Sequence, residues 1–265
     1  MLLTACKLEN PLGGAEGPVT VGALQVEMVE FQRSGGPQCI GTAGVTQENQ
    51  RCATIRVSYP KVLDAGSPAA IDALNQFIQS QLLDYSDAEG KQPASLDELA
   101  NMFIGDYLQD PNPVGSWEVE RTVGVSFSAE HLVTLNYHEY GYTGGAHPFG
   151  GQRYFVLDTN SGQQLTLADL LNHGYESELN VTGEHAFRQA REIAPDASLE
   201  AEGFWFENDT FSVNTNFGVL GDGLVFVFNS YEVAPYALGP TEFTVHYDDI
   251  RSLIAATGPL AAIAK

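Results

Sequence analysis

The sequence of 265 residues carries 12 basic and 34 acidic side chains, so its formal net charge is -22. This excess argues against nucleic acid as a partner, because phosphate binding needs clusters of lysine and arginine. It favours a cationic partner through long-range attraction, and it is equally typical of a surface adapted for solubility or for a saline habitat. No stretch of the sequence reaches the roughly 18 apolar residues that a membrane-spanning helix requires.

Two of the three cysteines lie close together in the sequence. Cys39 and Cys52 stand near the ends of a stretch rich in Gly, Thr, Gln and Asn, which is typical of a loop closed by a disulfide bond. Closing a loop of this size contributes about 3 kcal/mol in the chain-entropy model. Because disulfide bonds persist in oxidising compartments, this pairing predicts a protein of the cell envelope.

The third cysteine, Cys6, follows Leu3-Thr4-Ala5, and this tetrapeptide resembles the lipobox of bacterial lipoproteins, whose cysteine is diacylated. Residues 1–5 lack the charged and apolar regions of a signal peptide, so the sequence is expected to begin inside one. We therefore expect residues 1–18 to be a partial lipoprotein signal and a flexible tether. The expected product is a periplasmic or surface lipoprotein that meets the membrane only through its N-terminal lipid anchor.

The first part of the chain predicts strands and then helices. Alternating apolar and polar residues predict strands at 19–31 and 53–59. Ser67 before Pro68 predicts the start of a helix, because serine caps free backbone N–H groups and proline fits the first helical position. Ser95 opens a second helix through the capping box Ser95-Leu96-Asp97-Glu98.

A hairpin follows these helices. Residues 117–127 and 131–140 alternate with a period of two, which predicts two antiparallel strands. In the second strand Val133, Leu135 and Tyr137 fall on one face. In the first strand five side chains are predicted to share a face, namely Trp117, Val119, Val123, Val125 and Phe127.

The remainder of the chain predicts shorter elements. Gly221-Asp222-Gly223 is a strong hairpin turn signal. Strands are predicted at 153–157, 211–217, 224–228 and 243–247, with helices at 178–193 and after Asp248.

The clustering of the predicted elements indicates the fold class. Strands and helices come in groups without strict alternation, which predicts an α+β fold with a mainly antiparallel sheet and helices packed on one side. We expect one ectodomain over residues 19–256, with possible halves at 19–141 and 142–256.

One candidate binding loop leaves the hairpin at residues 137–148. Its paired glycines permit backbone angles that other residues avoid, so it can turn sharply or let a partner approach closely. A plain connection between strands, with tyrosines covering the core, would have the same composition. His147 is expected to pair with a backbone carbonyl or a tyrosine rather than to bind a ligand. The candidate residues are Tyr140, Tyr142, Thr143, Gly144, Gly145 and His147.

A second candidate loop lies at residues 231–240, directly after a predicted buried strand. Tyrosine offers a large contact area at a small entropic cost, so Tyr231, Pro235 and Tyr236 are candidate binding residues. A structural loop whose tyrosines close the core is an equally good interpretation. The sequence does not determine whether this loop meets the first one.

The sequence carries none of the common enzyme signatures. It has no His-Glu-x-x-His, no Cys-x-x-Cys, no Gly-x-Ser-x-Gly and no phosphate-binding Gly-rich loop ending in Lys-Ser/Thr. None of its six histidines stands four residues from another, so no metal site is indicated. We therefore expect no catalytic residue, no metal and no cofactor. A hydrolase with an unrecognised pair of carboxylates is the least favoured alternative.

Three segments, at residues 140–147, 155–170 and 231–239, resemble in the correct order a bacterial family of extracytoplasmic domains. That family includes the ectodomain of the anti-sigma factor RsiV and the non-catalytic N-terminal region of the peptidoglycan deacetylase PdaC. The resemblance implies an α+β envelope domain, and through RsiV it implies binding of lysozyme, a strongly basic enzyme. Sigma-factor signalling and deacetylation are not expected, since the segments responsible for them are not recognised here.

These observations lead to two expected functions. The first is a non-enzymatic envelope lipoprotein that binds a cationic protein such as lysozyme. The second is a peptidoglycan- or glycan-binding module in which Tyr140, Tyr142, Tyr231 and Tyr236 stack on sugars.

Overall fold

The structure is a computed structural model that describes residues 17–41, 45–46, 50–86, 89–111, 113 and 115–264. The predicted lipidation site Cys6 and most of the predicted tether lie outside these residues. Within them, no helix is both long enough and apolar enough to cross a membrane.

A six-stranded sheet forms the centre of the molecule, and its strands follow one another in chain order. All neighbouring strands are antiparallel except β3 and β4, which are parallel. A parallel pair needs a long crossover, and the two predicted helices, α1 (Pro68–Leu82) and α2 (Leu96–Gln109), lie in it. The strands are β1 (Val19–Val21), β2 (Leu24–Gln38), β3 (Arg51–Asp64), β4 (Trp117–Ser128), β5 (Leu132–Tyr142) and β6 (Phe149–Asp158).

A second, three-stranded antiparallel sheet follows in the chain. It consists of β7 (Phe217–Val219), β8 (Gly223–Phe228) and β9 (Thr241–His246). Two helices precede it, α3 (Leu167–Leu170) and the longer α4 (Glu176–Arg191). The predicted α+β class with mainly antiparallel sheet is therefore confirmed, and the second sheet is a feature that the sequence did not indicate.

The large sheet separates two hydrophobic cores, and the alternation of β5 shows this directly. Val133, Leu135 and Tyr137 point into the core that contains α1 and α2, as predicted. Leu132 contributes to the other core, which contains α4 and the three-stranded sheet. On that side the Thr134 hydroxyl donates to the carbonyl of Val219 at 2.7 Å and accepts from its N–H at 3.1 Å. The second sheet is thus bonded to the face of the first.

The predicted helix starts and the predicted disulfide bond are confirmed. Ser67 accepts a hydrogen bond from the Ala70 N–H at 3.1 Å, and Ser95 accepts one from the Glu98 N–H at 3.1 Å. Cys39 and Cys52 are bonded to each other.

Several predicted boundaries are wrong for identifiable reasons. A turn at Gly22, whose φ is 58°, splits the predicted first strand into β1 and β2. A β-bulge between Val125 and Phe127 turns the Phe127 side chain away from its predicted face and into the opposite core. The possible boundary between residues 141 and 142 falls inside β5.

The end of the chain also departs from the prediction. Residues 211–216 are not a strand, because the side chain of Asn180 bonds the Val213 N–H and the side chain of Asn214 bonds the Val227 carbonyl. β9 ends at His246, and single 3-10 turns replace the predicted helix after Asp248.

Phe187 of α4 is the centre of the second core, and we use it to test that core. Its fully buried ring lies 5.0–5.9 Å, between centroids, from five phenylalanine rings. We expect Phe187→Ala to lower the free energy of unfolding by about 3–5 kcal/mol, because the cavity would lose contacts with all five rings. Urea denaturation measures the free energy of unfolding of the variant and of the wild-type protein. Val181→Ala, at a 70% exposed position of the same helix, is the control and should change little.

Alkaline pH tests the first core. Burial raises the pKa of Tyr137 from 10.0 to about 12, with Arg121 acting in the opposite direction. A raised pKa means that the folded state favours the neutral phenol, so this stabilisation is complete below pH 10 and is lost as pH rises towards 12. For Tyr137 the free energy of unfolding should fall by about 2–3 kcal/mol over this range.

The measurement is the free energy of unfolding at several pH values. The Tyr137→Phe variant should lose less stability than the wild-type protein across this alkaline range. Burial raises the pKa of Tyr154 and Tyr247 as well, so part of the loss should persist in the variant. If the free energy of unfolding fell equally with pH in the two proteins, the burial of the Tyr137 phenol would be contradicted.

Candidate functional site

The two candidate loops meet in space. The His147 imidazole stacks on the Tyr236 ring, with 4.1 Å between centroids and an angle of 17° between planes. The Tyr231 ring lies 5.8 Å from Tyr236 and 6.0 Å from His147. One aromatic cluster therefore contains residues from both loops, which the sequence alone did not determine.

His147 connects the loops through both of its ring nitrogens. Nδ1 lies 2.8 Å from the carbonyl oxygen of Pro148, and Nε2 lies 3.2 Å from the Tyr231 hydroxyl. With the proton on Nδ1, the ring donates to the carbonyl and accepts from the tyrosine. The predicted pairing of His147 with a backbone carbonyl or a tyrosine is confirmed, and both partners are present.

Glycines shape the first loop. Gly144 and Gly145 have φ values of 89° and 108°, so the predicted use of backbone angles that other residues avoid is confirmed. The Tyr142 hydroxyl closes the turn by donating to the Gly145 carbonyl at 3.2 Å. Gly150 begins the return along β6, and a Cβ there would stand 2.1 Å from the Glu139 carbonyl oxygen. The backbone of β5 and that of β6 therefore lie very close together at the base of this loop.

Asn229 fixes the second loop against the edge of β6. Its Oδ1 accepts from the Gln152 N–H at 2.8 Å, and its Nδ2 donates to the Gln152 carbonyl at 3.0 Å. Asn216 bonds the same edge in the same way, through the Tyr154 N–H at 2.9 Å and the Gln152 carbonyl at 2.8 Å. Two side-chain amides therefore take the place of a neighbouring strand, and one of them stands two residues before Tyr231.

Between the loops lies a cavity of about 320 Å³, lined by residues of both. We call its aromatic wall the aromatic groove, formed by Tyr140, His147, Phe149, Tyr231 and Tyr236. Large parts of these rings are accessible, with exposed fractions of 38% for Tyr140, 46% for Phe149, 57% for Tyr231 and 40% for Tyr236. Clustered exposure of this kind is typical of an interaction site, whereas single exposed apolar residues are ordinary.

The other predicted site residues have supporting or separate places. Tyr142, Gly144 and Gly145 shape the turn and do not line this cavity. Pro235 precedes the single 3-10 turn Tyr236–Leu238 and is likewise not part of the lining. Thr143 lines a neighbouring cavity. These placements leave Tyr140, His147, Tyr231 and Tyr236 as the predicted residues that come together.

Sequence reasoning missed Phe149 and Asn229. The Phe149 ring lies over Gly141, where a Cβ would approach it to 2.2 Å, so the Gly141 position provides space for this ring. The available signal was a glycine between two tyrosines near the end of β5, since a glycine within a strand indicates close approach of another group. Asn229 carried no comparable signal, because its role depends on a strand distant in sequence.

The neighbouring cavity measures about 460 Å³, and Glu139 and Phe149 line both it and the cavity of the aromatic groove. In its wall the guanidinium of Arg121, 5% exposed, bonds the Glu139 carboxylate at 2.8 Å and the carbonyls of Leu82 and Asp84. Tyr85 donates to the carboxylate of Asp106 in the same wall. The ion pair between Arg121 and Glu139 was not predicted. It lies at the boundary between the two cavities, since Glu139 lines both.

The electrostatics of the groove favour a cation. Among the described residues that line its cavity there is a carboxylate, Glu139, and no lysine or arginine. Burial, followed by the nearby Glu118 carboxylate, raises the pKa of Tyr140, so this phenol stays neutral. Burial also lowers the pKa of His138, which therefore carries less positive charge near neutral pH. The residues present can offer aromatic faces and hydroxyl groups without a competing lysine or arginine, while the Glu139 carboxylate is already paired with Arg121.

Within the described ranges, no three His, Cys, Asp or Glu side chains are placed to hold a metal ion together.

Comparison with known families matches two adjoining segments of this chain. Residues 46–149 match the family model described as deacetylase PdaC, and residues 168–248 match a protein family of unknown function, DUF3298. The chain is 25% identical over 128 residues to the peptidoglycan-N-acetylmuramic acid deacetylase PdaC of Bacillus subtilis. That alignment covers 48% of this chain and 27% of the Bacillus protein.

Two solved structures of DUF3298 proteins share the fold. The protein from Bacteroides fragilis is 16% identical and superposes with a TM-score of 0.72, covering 92% of this chain and 99% of its own. The protein from Pseudomonas aeruginosa is 18% identical, with a TM-score of 0.65 and coverages of 88% and 94%. At these identities the comparison supports the fold alone.

These findings confirm the PdaC-type relationship that the three sequence motifs indicated. The PdaC relationship supports a place in the cell envelope and leaves the function open. Two family models thus match this chain in succession, the PdaC model over residues 46–149 and the DUF3298 model over residues 168–248.

Proposed function

We propose that this protein is a non-enzymatic cell-envelope domain that binds a basic protein of the lysozyme type through the aromatic groove. The observation that carries the proposal is the convergence of two loops, distant in sequence, on one open cavity with accessible aromatic rings. Rigid aromatic side chains supply contact area at small entropic cost and are enriched at the centres of protein interfaces. The lipid anchor at Cys6 belongs to the same proposal.

The charge of the molecule agrees with a basic partner. The net charge of -22 attracts a cationic protein over long distances and accelerates encounter at low salt. Among the described residues that line the two neighbouring cavities, the carboxylates of Asp84, Asp106 and Glu139 outnumber the guanidinium of Arg121. Arg121 is paired with Glu139, and Arg153 lies 3.7 Å from Asp84. The surface around the groove therefore carries the sign that the proposal requires.

A glycan is the second candidate ligand. The exposed rings of Tyr140, Tyr231 and Tyr236 could stack on sugars, and the curated relative is named as a deacetylase of peptidoglycan. Because the alignment spans only 27% of that enzyme, its activity is not carried over to this chain. The carboxylates in the adjoining cavity are bonded to neighbours, Glu139 to Arg121 and Asp106 to Tyr85, which favours binding over hydrolysis.

Calorimetric titration with lysozyme at low and moderate salt tests the leading proposal. We expect submicromolar binding that weakens as salt is added, since part of the attraction is electrostatic. Tyr236→Ala should weaken binding by about tenfold or more, because it removes the ring on which His147 stacks at the centre of the groove.

A matched control removes an exposed apolar side chain elsewhere. Leu108→Ala, at a 59% exposed position on α2, should bind like the wild-type protein. Absence of binding at both salt concentrations would contradict the leading proposal. In that case, sedimentation of the protein with purified cell wall would test the glycan alternative, and loss of sedimentation in Tyr236→Ala would support it.

A further inference from the structure

Tyr231 has an unusual backbone conformation. Its φ is 71°, in the left-handed region that favours glycine. The other non-glycine residues with positive φ are Glu192 at the C-terminal cap of α4, Asn208 and Asp209, among the described residues. Asparagine and aspartate tolerate this region, whereas a bulky aromatic residue there is an outlier. Within the described part of the chain, Tyr231 is therefore the position where residue type and local backbone preference disagree most.

The surrounding turn holds Tyr231 in this conformation. The Tyr231 N–H donates to the Ala234 carbonyl at 3.0 Å, and the Glu232 N–H donates to the Asn229 carbonyl at 3.1 Å. The Asn229 side chain, already bonded to β6, also donates to the Glu232 carboxylate at 3.0 Å. Since these bonds fix the turn from both sides, the backbone stays left-handed whichever residue stands at position 231.

The Tyr231 side chain contributes little to the folded core. It is 57% exposed and lies outside the hydrophobic clusters of the described residues. Its contacts are with the other loop residues, His147 and Tyr236. Glycine would adopt this backbone freely, so the backbone gives no reason for a tyrosine here, and the side chain serves only to join the two loops through His147. Strain that persists at an exposed residue of a cavity points to a role in recognition.

We propose that Tyr231 is the anchor of the aromatic groove and that its ring face receives a cationic side chain, guanidinium or ammonium, of the bound protein. This inference rests on the proposed function. A cation gains electrostatic attraction from the face of an aromatic ring. Tyr236 supplies a second ring 5.8 Å away, and no described lining residue supplies a competing lysine or arginine.

The first test measures stability and needs no ligand. Tyr231→Gly and Tyr231→Ala remove the same ring and hydroxyl, so they differ almost only in backbone preference. At an unstrained position alanine is the more stable of the two. Here we expect the reverse, with the melting temperature of Tyr231→Gly above that of Tyr231→Ala by roughly 2–4 °C. An alanine variant as stable as the glycine variant, or more so, would overturn the strain on which the inference depends.

The second test measures binding. Lysozyme is titrated into the wild-type protein and into Tyr231→Phe, Tyr231→Gly and Tyr231→Ala. The phenylalanine variant keeps the ring face, so its affinity should stay within about threefold of wild type, whereas the other two should lose about tenfold or more. Equal affinity in all four proteins would overturn the anchor role while leaving the proposed function intact.

A third measurement identifies the chemistry that the ring receives. Hexa-arginine and hexa-citrulline peptides have similar shapes, and only the first carries positive charge. We expect hexa-arginine to bind the wild-type protein more tightly than it binds Tyr231→Gly, by about fivefold, and hexa-citrulline to show no dependence on Tyr231. If lysozyme fails to bind but this dependence appears, the cation site stands and the partner is another basic protein. Equal loss with both peptides would overturn the cationic ligand.

Discussion

The candidate site depends on the way in which two asparagine side chains occupy the outer edge of β6. Asn216 and Asn229 bond the backbone of Gln152 and Tyr154 as a neighbouring strand would. An unpaired edge would be open to other chains, so these amides protect the sheet while they attach the second half of the chain to it. Asn229 also sets the position of the turn that carries Tyr231. Without these bonds the second loop would lose its attachment to β6, and the contacts between His147, Tyr231 and Tyr236 would have a less rigid base.

The larger architecture supports this arrangement. The six-stranded sheet has a core on each face, so β5 and β6 are held from both sides, by α1 and α2 on one and by the three-stranded sheet on the other. The bonds between Thr134 and Val219 join the two sheets in the interior. The loops between and after these strands therefore project from a rigid base, as binding loops commonly do. Rigid support also lets the turn at Tyr231 retain a backbone conformation that its side chain disfavours.

Local patterns predicted those parts of the molecule that depend on local chemistry. Helix starts at Ser67 and Ser95, the face of β5 and the disulfide bond followed from residue types a few positions apart. Long-range features were not predictable in this way. The bulge that turns Phe127 to the opposite core and the ion pair of Arg121 with Glu139 depend on the exact register of the predicted hairpin. The asparagine bonds along β6 join segments that only the fold brings together. The candidate site lies between these cases. Its tyrosines and histidine were identified from the sequence one by one, but the sequence did not predict that they lie together in space.

The most direct test of the central claim, that both loops form one binding surface, is hydrogen exchange of the protein with and without lysozyme. A shared site predicts slower exchange on binding in two separate segments, residues 140–151 and 229–240, with other parts of the chain little changed. Protection of one segment without the other would contradict a shared site. Protection confined to α1, α2 or β2 would place the interface elsewhere and would assign the aromatic groove a purely structural role.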